Sequence, residues 1–240
     1  MAYKSITLTE KNTGDYFYEE AIKTLRTNLQ FTGKNNKVIL LTSSYGSEGK
    51  SDTCFNLAKE LGKAGKKVLL IDADIRKSVY KSRYDIQEET KGLSQYLSGQ
   101  TEHIDDVVYK TNFENLYLIL AGPYAPNPTE ILGDEQFGQL LKAARQVFEY
   151  VLIDTPPLGA VVDAAVIGQF CDGAVIVVES GVASRKVVQR VKAQLEKSGC
   201  KVIGAILNKM DVNGNGYYGS KYRRYYSNKR SQYYGYLEER

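Results

Sequence analysis

The chain reads as an α/β domain in which a mostly parallel sheet is flanked by helices on both faces. Six short runs rich in Val, Ile and Leu recur along its 240 residues, with amphipathic segments of helical period between most of them. The runs are nearly continuous rather than alternating, which is the pattern of strands covered on both faces in a parallel sheet. The polar residues with chemical potential follow these runs, at the carboxyl ends of the expected strands, where such sheets bind their ligands.

In chain order, residues 16–31 predict a helix with Ile22, Leu25 and Leu29 on one face. A strand over Val38–Leu41, a helix at about 51–64 and a strand over Val68–Ile71 come next. Residues 76–114 are less regular, with short helices expected around Gly92–Leu97. Strands over Leu116–Leu120 and Tyr150–Ile153 bracket a single helix at 129–148. A helix at 162–169, a strand over Ala174–Val178, a helix at 184–198 and a strand over Val202–Leu207 complete the series. All six strands are expected to be buried. Asn213-Gly214-Asn215-Gly216 reads as a flexible joint, which sets one domain at 1–212 and a mobile arm at 213–240. No internal repeat is visible.

The arm is unusual in composition. Residues 217–240 hold eight of the chain's 19 tyrosines: Tyr217, Tyr218, Tyr222, Tyr225, Tyr226, Tyr233, Tyr234 and Tyr236. They are interleaved with Lys221, Arg223, Arg224, Lys229 and Arg230, and show no apolar stripe of either period. Residues 1–216 contain 26 basic and 26 acidic residues, against six and two in the last 24, so the whole net charge of +4 sits in the arm. Such an arm suits nucleic acid, an anionic lipid surface or a modifying enzyme. Cys54, Cys171 and Cys200 are odd in number and widely spaced, as expected of free thiols in a reducing cytoplasm. No targeting signal is read before Lys4, and no apolar run approaches the roughly 18 residues of a membrane span. His103, the single histidine, lies in a polar stretch, and a chain with one histidine has no multi-histidine metal site.

After the first strand, Ser43-Ser44-Tyr45-Gly46-Ser47-Glu48-Gly49-Lys50-Ser51 leads straight into a helix. Strand, loop, Gly-Lys-Ser and helix form the context of a phosphate-binding loop, and the fold expected is P-loop NTPase-like. Loop N–H groups at Gly46, Ser47, Glu48 and Gly49 and the helix N-terminus would surround a phosphate. Lys50 would reach the terminal phosphates, and the Ser51 hydroxyl would ligate Mg²⁺. The strict pattern has Gly where this chain has Ser44. Two later strands strengthen the reading: Ile71-Asp72-Ala73-Asp74 and Ile153-Asp154-Thr155 both place carboxylates at a strand end. One strand-end aspartate is usually a turn residue, but three beside a Gly-Lys-Ser loop make a magnesium nucleotide site the better account. Ser51 with Asp74 and Asp154 suffices for an ion that keeps several waters.

These features resemble the bacterial tyrosine kinases of capsule and exopolysaccharide synthesis over almost the whole chain. Glu48-Gly49-Lys50-Ser51 matches the family's first motif, Leu69 to Lys77 its second, and Ile153-Asp154-Thr155-Pro156-Pro157 its third, with Asp163-Ala164 following. Glu20, Lys23 and Arg26 are similar to the family's oligomerisation motif Glu-x-x-Arg-x-x-Arg, and the tyrosine-rich end to its autophosphorylation segment. The resemblance implies an ATP-dependent protein-tyrosine kinase with Mg²⁺ as cofactor. Lys50 would stabilise the transferring phosphoryl group, and Asp72 would orient or deprotonate the incoming tyrosine. Transfer would run between subunits of a homo-oligomeric ring, from one active site to a neighbour's tail. A separate membrane-anchored protein would activate the kinase and recruit it from the cytoplasm to the inner face of the membrane. A cognate tyrosine phosphatase is a further expected partner, and nucleic acid is not.

The chain also departs from the family. The usual loop, Ser-Ser-x-Pro-Gly-Glu-Gly-Lys-Ser-Thr-Thr, here has Gly46 for Pro, Ser47 for Gly and Asp52 for the first Thr. A positive φ at Ser47 would carry strain. Asp52 favours the helix dipole. Either it faces solvent or pairs with a lysine, or it repels the nucleotide and leaves a weakly active paralogue or adaptor. Lys23 keeps the charge of the usual Arg without its fork. Two ATPase or GTPase readings remain beside the kinase. Partitioning-type switches share the fold but carry an extra loop lysine where this chain has Ser44 and Tyr45, and they lack a tyrosine tail. Asn208-Lys209-Met210-Asp211 matches a guanine-reading pattern, although related ATPases often keep an Asn such as Asn208 to meet adenine.

Overall fold

A computed structural model describes residues 3–10 and 16–210. The joint at 213–216, the arm with its eight tyrosines and Asp211 lie outside the described residues. Eight strands form one sheet: β1 (Lys4–Ile6), β2 (Val38–Ser43), β3 (Val68–Asp72), β4 (Tyr109–Thr111), β5 (Leu116–Ile119), β6 (Tyr150–Asp154), β7 (Gly173–Glu179) and β8 (Val202–Asn208). Their order is β1-β4-β5-β3-β6-β2-β7-β8, and every pairing is parallel except β4 with β5. The helices are α1 (Tyr16–Phe31), α2 (Lys50–Lys63), α3 (Tyr80–Arg83), α4 (Leu93–Leu97), α5 (Pro128–Gly133), α6 (Glu135–Val147), α7 (Asp163–Gly168) and α8 (Arg185–Lys197).

The apolar runs were continuous because the two faces of each strand meet different helices. Val38 and Leu40 of β2 join a core with residues of α4 to α8, while Ile39 and Leu41 join a second core with Leu29 of α1 and Phe55, Leu57 and Leu61 of α2. On α1 the predicted stripe holds: Ile22 and Leu29 are buried and Leu25 packs against the second core.

Three expectations are corrected. The single helix at 129–148 is two, because Asp134 adopts an extended conformation and caps α6 by accepting the Gln136 N–H at 2.9 Å. Val202–Leu207 is a strand but not a buried one: among the described residues β8 pairs only with β7, and Gly204, Ala205 and Leu207 are exposed. The short strands β1 and β4 escaped prediction, since three residues at a sheet end are too few to show a period. The three cysteines are free thiols, two of them buried. Among the described residues no helix is long and apolar enough to cross a membrane.

Candidate active site

The chain leaves β2 into a tight loop and enters α2 at Lys50, with Gly49 as the residue before the helix. Gly49 has φ +85, and a Cβ there would fall 2.1 Å from the Asn208 amide nitrogen, so only glycine fits. Ser47 has φ 64, the left-handed conformation foreseen as strained. Glu48 is fully buried and turned away from the opening. Its carboxylate accepts the Tyr45 N–H at 2.7 Å and the Glu179 N–H at 3.1 Å, which fixes the loop's shape. Its side chain is therefore a loop brace, and only its backbone is placed to meet a phosphate.

Because β3 and β6 are neighbours in register, Asp72 stands directly beside Asp154. Lys50 Nζ lies 3.7 Å from both Asp74 Oδ2 and Asp154 Oδ1 and donates to Ser51 Oγ at 3.2 Å. Asp72 accepts the Ser78 hydroxyl at 2.5 Å and the Asp74 N–H at 3.2 Å. Burial, then the Asp154 charge, push the Asp72 carboxyl up to about 8. Burial also raises Asp154, against the opposing effect of Lys50. Arg76 holds the second motif in place with a two-pronged contact to buried Asp163 at 2.6 and 3.0 Å, and Thr129 donates to the same carboxylate at 2.7 Å.

The donor set fits Mg²⁺. Both oxygens of Asp154 are buried without a hydrogen-bond partner, beside a helix-start hydroxyl and a second carboxylate at Asp74. Such an arrangement has a need for positive charge that, among the described residues, Lys50 meets at 3.7 Å. Among the described residues no three His, Cys, Asp or Glu side chains form a metal cage of their own. Mg²⁺ requires none, because it keeps waters and shares phosphate oxygens.

These groups open on a cavity of about 1220 Å³. Gly46, Ser47, Gly49, Lys50, Ser51, Asp72, Asp74, Asp154 and Asn208 all line it, so nearly all of the predicted site converges. Asn208 Nδ2 donates to the Glu48 carbonyl at 2.9 Å. Asp52 lines the cavity too; its side chain is about half exposed to solvent, as one expectation had it, and the partners it meets are a tyrosine and an arginine rather than a lysine. Tyr18 of α1 donates to its Oδ2 at 2.7 Å, and Arg83 of α3 stands 3.6 Å from Oδ1. Asn56 completes this group by donating to the Tyr18 hydroxyl at 3.3 Å and the Asp52 carbonyl at 2.9 Å. Burial and Asp52 together raise the Tyr18 phenol well above its ordinary value. Tyr18, Arg83 and Ser78 were not foreseen, and Lys209 was read only as part of a guanine-reading pattern, not as a partner of the phosphate loop. The oligomer trio lies apart from the cavity: Glu20 pairs with Lys23 at 2.7 Å on the surface of α1, and Arg26 turns 3.8 Å from Glu60 of α2.

A family model described as an AAA domain matches residues 36–199. Tyrosine-protein kinase CpsD of Streptococcus agalactiae is 44% identical over 193 residues, which cover 80% of this chain and 84% of that protein. Tyrosine-protein kinase YwqD of Bacillus subtilis is 36% identical over 207 residues, covering 84% and 86%. The kinase domain of the Escherichia coli tyrosine kinase ETK is similar with a TM-score of 0.76 and 32% identity, covering 83% of this chain and 79% of that one. The septum site-determining protein MinD of Pyrococcus horikoshii, complexed with Mg-ADP, shares the fold at a TM-score of 0.62 and 24% identity, covering 71% and 69%.

Proposed function

The chain belongs to the bacterial tyrosine-protein kinases, and from that premise we propose that it transfers the γ-phosphoryl group of ATP to tyrosines in the 213–240 arm of a neighbouring copy. The observation that carries the reading is the convergence of Lys50, Asp72, Asp74 and Asp154 on one cavity at the carboxyl end of the sheet. An adaptor has no use for three carboxylates around a loop lysine.

In this reading the loop amides and the N-terminus of α2 bind the phosphates, and Lys50 stabilises the transferring group. Ser51, Asp74 and Asp154 would hold Mg²⁺, which would supply neutralisation of the phosphate charge. Asp72 stands beside them and accepts the proton of the incoming phenol, whose ordinary pKa is about 10. Burial and the Asp154 charge push this carboxyl up, so the site by itself favours its protonated form, and the positive charge of a bound Mg²⁺ would favour the ionised form that the task requires. Each phosphotyrosine adds about −1.5 to −2 charge, so full modification would turn the +4 arm strongly negative. That reversal would weaken docking to a neighbour's acidic site and loosen a ring joined through Glu20, Lys23 and Arg26. A cognate phosphatase would restore the arm. A membrane-anchored activator would bring the cytoplasmic kinase to the membrane's inner face, in support of capsule or exopolysaccharide synthesis.

The test is incubation of the full chain with Mg-ATP, with and without the activator's cytoplasmic segment, followed by phosphotyrosine detection. Signal on the arm that vanishes in Lys50→Met and falls steeply in Asp72→Asn is the expected result. ATP hydrolysis without phosphotyrosine in any condition would instead favour an ATPase switch.

A further inference from the structure

Of the guanine-reading pattern Asn208-Lys209-Met210-Asp211 the structure describes the first three residues, and the transfer chemistry gives Lys209 no task. The Asn208 and Lys209 side chains turn to the phosphate loop instead. Lys209 Nζ donates to the Ser47 carbonyl at 2.6 Å and pairs with Glu179 Oε2 at 2.9 Å, while Asn208 donates to the next carbonyl, Glu48, at 2.9 Å. Across a trans peptide, C=O and the following N–H point in opposite directions, and the described residues contain no cis peptide. Two successive carbonyls drawn to the end of β8 therefore leave the N–H groups of Glu48 and Gly49 directed away from it, as a phosphate nest requires.

Strain marks the same contact. Ser47 has φ 64 and Lys209 φ 52, and each carries a Cβ into the left-handed region. Such residues persist where the surroundings over-determine them. Here the two are bonded to each other, and Glu179, whose carboxylate anchors Lys209, donates its backbone N–H to the carboxylate of buried Glu48.

We propose that Lys209 is a positioning residue for the phosphate loop. With Glu179 as its counter-ion it clamps Ser47 in the conformation that a glycine would adopt unaided, and so keeps the loop amides aimed at phosphate. The inference rests on the reading that ATP binds in this loop, and it assigns the lysine of the guanine-reading pattern to loop geometry rather than to a base.

A double-mutant cycle tests it. Calorimetric titration of Mg-ATP into the full-length wild type, Lys209→Met, Ser47→Gly and the double variant is run beside thermal unfolding. Lys209→Met should weaken ATP binding about tenfold where Ser47 is kept, the scale of one released left-handed residue. In the Ser47→Gly background the loss should shrink to about twofold or less, because glycine needs no clamp. Lys209→Arg should recover most of the affinity, and the melting temperature of Lys209→Met should stay near wild type. Equal losses in both backgrounds would mean that Lys209 acts on the nucleotide itself and would overturn the clamp. No loss in either background, or a melting temperature far below wild type, would overturn it too. A wild type that binds no ATP would remove the nucleotide reading and the clamp together.

Discussion

Glu48 and Asp52 flank the start of α2 four residues apart, and the fold uses the two carboxylates in opposite ways. Glu48 is fully buried and spends its oxygens on two backbone N–H groups, one of them in its own loop and one at the end of β7. Asp52 is about half exposed, 46%, and meets two side chains from other helices, Tyr18 and Arg83. The buried carboxylate shapes the phosphate loop. The exposed one ties the helix that carries the expected subunit contacts to the helix that receives the phosphates. Sequence position alone hides this difference, because both are acidic residues within one turn of a glycine-rich loop.

Substitutions separate the two roles, and the largest effect belongs to Glu48. Glu48→Ala leaves two backbone donors without their partner and should lower unfolding free energy by about 3 kcal/mol. Glu48→Gln preserves shape but loses half its acceptor capacity, for a loss of about 1–2 kcal/mol. Chemical denaturation measures both, and a cost for Glu48→Ala below that of any Asp52 variant would break the comparison.

Next comes the Tyr18–Asp52 contact. Tyr18→Phe and Asp52→Asn combined in a cycle should show a coupling of about 1 kcal/mol in the same measurement, the scale of a hydrogen bond to a charged group at a half-exposed site. Zero coupling would mean that the Tyr18–Asp52 contact adds nothing to the joining of α1 and α2, which would then rest on their apolar faces and on contacts such as Arg26 with Glu60. The smallest effect is on the nucleotide. With Arg83 and Tyr18 already facing its charge, Asp52→Thr should change ATP affinity by less than about threefold, since a surface ion pair is worth at most about 1 kcal/mol. A gain of tenfold or more would restore the view of Asp52 as a residue that repels ATP.

The legible parts of the molecule were those written in local pattern. Strands covered on both faces gave continuous apolar runs, and strand-end carboxylates marked the cavity, so Asp72, Asp74 and Asp154 were found without coordinates. Ser47 was foreseen as strained because a loop of this kind usually carries glycine there. Contacts that close over long separations left no such trace. Lys209 meets Ser47 across 162 residues, and Tyr18 meets Asp52 across 34. The break at Asp134 was written in the sequence as Gly133-Asp134, a stop followed by a cap, but the surrounding helical period masked it. The exposure of β8 followed from its place at the sheet edge, which composition does not encode.

The central claim is phosphoryl transfer to a neighbour's tyrosines, and a mixing experiment reaches it most directly. A full-length chain with Lys50→Met, unable to transfer, is combined with an active chain whose eight tyrosines from Tyr217 to Tyr236 are replaced by phenylalanine. After incubation with Mg-ATP and separation of the two by a tag, phosphotyrosine should appear in the 213–240 arm of the Lys50→Met chain, and neither protein should acquire it alone. Wild-type chains that label themselves while this mixture stays blank would contradict transfer between copies.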